Sequence, residues 1–133
     1  MATVKRFEDL RCWQVARTLA VDIYARTKVG AFAKDYGLKE QIQRAVVSIG
    51  SNIAEGFERD SSSELVKFLG YAKGSAGEVR SQLYTAFDVG YLSQDDFTTL
   101  ADKVKHASFL ISRFRDSIKR SAVSGLRSKD ATQ

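Results

Sequence analysis

The chain has 133 residues, 44% of them hydrophobic and 28% charged, a balance that suits one folded domain and excludes an intrinsically disordered one. A single cysteine, Cys12, rules out an intramolecular disulfide, and no apolar run reaches the roughly 18 residues that a membrane span requires. The net charge of +5 is unevenly placed: eight Lys/Arg and one acid, Asp116, lie between Lys103 and Lys129, so the rest of the chain is mildly acidic. Met1-Ala2-Thr3-Val4-Lys5-Arg6 leads to Glu8 and Asp9 rather than to the apolar core of a signal peptide, which makes the cytoplasm the expected compartment.

Four stretches carry helical periodicity, and none alternates with period two over a strand's length. The first helix is predicted over about Glu8 to Lys28, with Leu10, Trp13, Ala16, Ala20, Ile23 and Tyr24 returning at steps of three and four. A connection carrying Gly30 and ending near Gly37 precedes a second helix over about Leu38 to Phe57, with Leu38, Ile42, Ala45, Ile49 and Ile53 on one side. Ser61-Ser62-Ser63-Glu64 reads as a capping box for the third helix: the Ser61 hydroxyl accepts from a first-turn amide and Glu64 reaches back. That helix has the clearest seam, Leu65, Leu69, Ala72, Ala76, Val79, Leu83 and Ala86, and stops near Gly90-Tyr91-Leu92. Ser93 is the expected N-cap of the fourth, with Asp95 and Asp96 at the positive end of its dipole and Phe97, Leu100, Val104, Ala107, Ile111, Phe114 and Ile118 along its seam. From Ser121 the pattern dissolves. The expected organisation is an all-α, antiparallel up-and-down four-helix bundle over residues 1–120 and a frayed basic tail over 121–133.

Three groups of residues are worth chemical attention. On helix 2, Arg44, Ser48, Ser51, Asn52 and Glu55 share one face, and Asn52 stands three residues after Ile49, where a core residue is expected. Polar groups taken from water must be hydrogen-bonded, at a cost of about 1 to 3 kcal/mol if they are not. Either this face is exposed or it forms a satisfied network with another helix; a catalytic reading lacks a nucleophile or metal partner. On helix 3, Gly70, Gly74 and Gly77 are either simply tolerated or, the favoured reading, leave a groove for close packing by a large side chain such as Trp13 or Tyr24, and Glu78 is a candidate partner for Arg44. On helix 4, His106, Arg113 and Arg120 recur every seven residues, with Lys103, Lys105, Arg115 and Lys119 broadening the band. Such a band either holds phosphates electrostatically or is a solvated helix face.

The sequence holds no phosphate loop, dinucleotide fingerprint or serine elbow, and one histidine is too few for a di-iron or zinc site. No catalytic residue, metal or cofactor is expected, and the chain reads as a non-enzyme.

Phe7-Glu8-Asp9-Leu10 with Trp13-Gln14, Tyr36-Gly37-Leu38, Gln41-Ile42-Gln43-Arg44-Ala45 and Ser51-Asn52-Ile53-Ala54-Glu55-Gly56, followed by Phe68-Leu69, Ala72, Gly74-Ser75 and Glu78, resemble a bacterial family. It is the four-helix-bundle family found in intervening sequences of large-subunit ribosomal RNA genes, similar in fold to the accessory variability protein of diversity-generating retroelements. The resemblance runs from about Phe7 to Lys119. It implies an up-and-down bundle assembled as a homopentamer with a role in binding nucleic acid. It carries Arg44, Ser51, Asn52, Glu55, Gly56, Gly74 and Glu78 as pattern positions, read here as structural. Members often have proline in the first connection and before the Ser-Asn motif, where this chain has Ala31-Phe32-Ala33 and Gly50. The resulting expectation is an oligomeric module that engages RNA or DNA through Lys103, Lys105, Arg113, Arg115, Lys119 and Arg120. The alternative is a structural or protein-interaction scaffold with no nucleic-acid ligand.

Overall fold

The computed structural model describes the backbone of residues 4–131 and the side chains of residues 4–122. A 3-10 turn, Phe7–Asp9, leads into α1 (Arg11–Thr27); a second, Gly30–Lys34, leads into α2 (Tyr36–Glu58); then follow α3 (Ser62–Asp88) and α4 (Gln94–Ala131). No strand occurs among the described residues. Contacts run around the square, α1 to α2, α2 to α3, α3 to α4 and α4 back to α1, with the last the sparsest of the four. The chain is therefore an all-α four-helix bundle.

The ends of the helices follow local chemistry. Ser61 Oγ accepts from the amide of Glu64 at 3.3 Å, and Ser93 Oγ accepts from that of Asp96 at 3.1 Å, as the two predicted caps require. The reciprocal half of the capping box is absent: Glu64 turns toward Lys67, 4.0 Å away, instead of reaching back to Ser61. Helix α3 ends in a Schellman motif, with the Tyr91 amide donating to Ala86 O and the Gly90 amide to Phe87 O, and Gly90 at φ +87°. The α2 cap, Asp35, is an element that periodicity does not reveal. Its Oδ1 accepts from the Leu38 amide at 3.1 Å and its Oδ2 accepts from the Tyr91 hydroxyl at 2.9 Å, while Tyr91 stacks on buried Phe32. Together these tie the first connection to the third. The hydrogen bond to Asp35 also holds the Tyr91 phenol above its ordinary pKa.

All seven seam positions of α3 are buried, as are Ile42, Ala45, Ile49 and Ile53 of α2 and Leu100, Val104, Ala107 and Ile111 of α4. On α1 the buried stripe is Cys12, Ala16, Leu19, Ile23 and Thr27, and Trp13, Ala20 and Tyr24 flank it half-exposed. Bulky amphipathic rings suit the shoulder of a seam better than its centre. Trp13 rests over Gly50 of α2, where an added Cβ would lie 3.6 Å from the indole nitrogen, and α2 passes Gly50 without a break. Thr27 is fully buried and satisfied: its hydroxyl donates to Tyr24 O at 3.1 Å and accepts from Gln43 Nε2 at 2.8 Å, a polar link between α1 and α2.

The α4 backbone runs helical through Ala131, and the side chains of the basic tail expected over 121–133 lie, from residue 123 on, outside those described. One expectation needs correction. Neither Trp13 nor Tyr24 fills the α3 glycine groove, because α1 lies diagonally across the bundle from α3. A Cβ at Gly74 or Gly77 would meet nothing within 4 Å. The glycine that does permit close packing is Gly56, where an added Cβ would fall 2.7 Å from Phe68 Cβ and 3.4 Å from Leu65 Cα, at the crossing of α2 and α3.

The two classes of glycine should respond oppositely to alanine. Gly56→Ala overpacks the crossing and is expected to lower stability by about 1 to 3 kcal/mol, whereas Gly74→Ala should raise it by about 0.5 to 1 kcal/mol. Urea denaturation of both variants checks the pair; equal effects would mean that the α2–α3 crossing is not tight at Gly56.

Candidate nucleic-acid interface

The cations of α4 do not form one band. Lys103 faces α1 and pairs with Asp22, and a turn away Arg26 of α1 meets Asp96 at 3.4 Å. These two bridges close the sparse α1–α4 side, so the charge of Lys103 is largely neutralised. His106, Arg113 and Arg120 share the exposed outer face, with the Arg113 guanidinium 5.7 Å from the centre of the exposed Phe109 ring. Lys105 and Arg115 lie on the side that faces α3, with exposed Lys119 one turn beyond Arg115 on the same face.

That third side builds a site. A groove of about 220 Å³ between α3 and α4 is lined by Lys73, Ala76, Gly77 and Arg80 from one helix and Val104, Lys105 and Ser108 from the other. Ala76 and Val104 belong to the core, so the floor is rigid, and the three cations rise from it on exposed positions. None of the three pairs with a carboxylate among the described residues, and no acid lines the groove. Farther along the same seam, Arg115 lies over Gly70, where its Nη1 would sit 3.9 Å from an added Cβ; its Nε is buried without a hydrogen-bond partner. Like charges held beside a low-dielectric wall focus a positive potential and draw in a polyanion. Lys73 and Arg80 are the residues that sequence reasoning missed. Their signal was present as a seven-residue step on the helix bearing the exposed glycines, but charge counting along the chain pointed only to α4.

The helix 2 motif is divided by the structure. Arg44 and Ser48 line a second groove of about 270 Å³ with Gln41, Ala45 and Glu78, yet Arg44 and Glu78 form no ion pair. Asn52 is half-buried and donates to Ser48 O at 2.8 Å and to Ser48 Oγ at 3.2 Å, both within its own helix. Glu55 pairs with Arg59 at 3.0 Å, and Ser51 is exposed. As between an exposed face and a cross-helix network, the hydrogen bonds and ion pairs that Asn52 and Glu55 form are all local to α2 and its C-cap, although Arg44 and Ser48 border a groove with Glu78 of α3. Gly56 packs α2 on α3, and Gly74 is exposed.

Cys12 offers no reactive thiol. It is 3% exposed, and burial pushes its thiol up to about 11. Among the described residues, no three His, Cys, Asp or Glu side chains gather to hold a metal ion, and no helix is long and apolar enough to cross a membrane.

At pH 8 the native Cys12 thiol should react with an aromatic disulfide reagent roughly 100-fold more slowly than in the unfolded chain. Because burial raises the folded-state pKa, the stability of the folded chain is unaffected by this thiol below about pH 9 and declines as the pH rises toward about 11; equal native and unfolded labelling rates would contradict the burial. Asn52→Ala, which removes only intrahelical bonds, should cost about 1 kcal/mol or less in urea denaturation, and a larger loss would indicate a cross-helix bond.

A family model described as "23S rRNA-intervening sequence protein" matches residues 8–113. Among solved structures, the crystal structure of a protein with unknown function from the S23 ribosomal protein family, from Bacteroides thetaiotaomicron, is similar with a TM-score of 0.72. The two chains are 20% identical over 78% of this chain and 97% of that one, a likeness that shows the fold. No curated protein is matched. The family model spans most of the bundle, from the turn before α1 to the outer face of α4, and the chain belongs to the 23S rRNA-intervening sequence protein family.

Proposed function

We propose that the protein is a non-enzymatic binding module, a cytoplasmic homo-oligomer that holds nucleic acid by its phosphates in the α3/α4 groove. The observation that carries this reading is the convergence of Lys73, Arg80 and Lys105 on one groove with no acid in its lining. Arg115 and Lys119 extend the positive surface along the seam, and Arg113 and Arg120 add charge on the outer face of α4. Phosphate neutralisation needs cations at fixed spacing and nothing more, so it accounts for a site without a nucleophile pair or metal group. A family named for intervening sequences of 23S rRNA makes RNA the first polyanion to test.

The second reading is a protein-interaction scaffold. It is supported by apolar surface on and after α1, where Val21 is 65% and Val29 57% exposed, with Tyr36 at the start of α2 72% exposed. The same surface serves the homopentamer that the family resemblance implies.

The two readings differ in salt dependence. Binding of structured RNA, single-stranded RNA and duplex DNA across a salt series, with the mass in solution recorded alongside, should weaken steeply with salt. Lys73→Ala, Arg80→Ala and Lys105→Ala should each reduce the slope of log affinity against log salt by about one. Arg113→Glu with Arg120→Glu should weaken binding further while leaving the oligomer intact. An absence of binding at low salt, or binding indifferent to salt, would replace this reading with the scaffold.

A further inference from the structure

We infer that the α3/α4 groove takes single-stranded nucleic acid, with a base stacked on Tyr84. This deepens the phosphate-binding reading and rests on it. Gly70, Lys73, Gly77, Arg80 and Tyr84 follow one another along α3 at steps of three, four, three and four, which sets them on one stripe beside α4. From Lys73 to Tyr84 the stripe is about 16 Å long. It presents in order a cation, a bare backbone, a cation and an aromatic ring, with Lys105 and Ser108 across the groove.

Tyr84 is built as a platform. Its ring sits 4.9 Å from that of Phe97 on α4, tilted by 58°, and Phe97 is stacked in turn on Phe87 at 4.9 Å. One side of the tyrosine is thus supported by a chain of rings, and the residue is still 51% exposed. A ring held this way can receive a planar base without first being ordered, and stacking tolerates any base. Arg80, one helical turn away, stands where the phosphate of the stacked nucleotide would be held.

The glycines point the same way. No contact among the described residues explains Gly77, over which a Cβ would meet nothing within 4 Å. A bare helix backbone between Lys73 and Arg80 does allow a sugar-phosphate chain to lie close to the helix while its charges meet the two cations. At the far end of the seam, the Arg115 guanidinium packed over Gly70 adds a further positive charge. A duplex cannot use this arrangement, because its bases are stacked inside it and its phosphates lie on a rigid outer spiral. A single strand can turn its bases outward onto protein rings and keep its backbone in the basic groove.

The test uses the full chain and three probes of equal length, a uridine-rich single-stranded RNA, the corresponding RNA duplex and a polysulfated sugar, with affinity read by fluorescence anisotropy. Tyr84→Leu keeps an apolar contact for Phe97 but removes the aromatic face, and Tyr84→Phe keeps that face. The expected result is a roughly 5- to 150-fold loss of single-strand affinity in the leucine variant, a range that corresponds to about 1 to 3 kcal/mol of stacking. The phenylalanine variant should bind like the parent, and duplex and polysulfate affinities and the salt slope should be unchanged. Gly77→Leu, which fills the bare stretch, should weaken the single strand while raising or preserving thermal stability. Unchanged single-strand binding in Tyr84→Leu, or an equal loss for strand, duplex and sugar, overturns this inference and leaves phosphate binding standing. If the parent protein binds none of the three probes at low salt, the phosphate reading fails and this one falls with it.

Discussion

The apolar seam of α3 is the constraint on which the molecule depends. Leu65, Leu69, Ala72, Ala76, Val79, Leu83 and Ala86 are all buried, and α3 shares its most extensive contacts with α2 on one side and α4 on the other. The small residues at 72, 76 and 86 bring the neighbouring helices close, and Gly56 of α2 does the same where Phe68 and Leu65 press against it. Helix α1 buries Cys12, Ala16, Leu19 and Ile23 in the core. Polar and ring contacts supplement that stripe, Lys103 with Asp22 and Arg26 with Asp96 toward α4, and Trp13 over Gly50 and the Thr27–Gln43 hydrogen bond toward α2. With its inner stripe committed to the core, α3 has two edges left to meet solvent, and each borders a groove.

The two grooves differ in electrostatic character. The one toward α2 has Arg44 and Glu78 in its lining, opposite charges that reduce its field even without a direct bridge. The one toward α4 has three cations and no acid. Net charge alone does not distinguish them, since a total of +5 is compatible with many arrangements. What matters is which basic side chains have a carboxylate in reach. Lys103 has one and is absorbed into the fold, whereas Lys73, Arg80 and Lys105 have none among the described residues.

The fold was legible because its signals are local. A 3/4 alternation states which face of a helix is buried, and Ser61 and Ser93 each sit three residues before the amide they cap. Much less of the candidate site was legible, because periodicity gives a face and not the neighbour it meets. Lys103 looks like its basic companions until Asp22, 81 residues away, is placed beside it. Lys73 and Arg80 lie in a helix with no unusual charge and gain significance only when Lys105 is set across from them. The glycines of α3 were legible as unusual but were assigned the wrong partner: in an up-and-down bundle α1 stands diagonal to α3, beyond the reach of Trp13 and Tyr24. Asn52 was conspicuous because of its place in the pattern, yet it bonds only to Ser48 of its own helix.

Glycine placement separates what the fold needs from what it merely carries. Gly56, Gly90 and Gly30 have structural reasons, a helix crossing in the first case and positive φ in the other two. Gly74 and Gly77 have neither: both lie inside a 27-residue helix, both are exposed, and an alanine at either would be sterically free. Each weakens α3 by about 0.5 to 1 kcal/mol relative to alanine. In a helix that also supplies the shared wall of the bundle, that loss falls on the element least able to be spared. Lys73, Arg80 and Tyr84 stand on the same stripe as Gly77, so the local weakness coincides with a surface where cations unpaired among the described residues and a supported aromatic ring come together. A requirement for something outside the chain to approach that backbone explains both facts, whereas a purely structural role for the stripe explains neither.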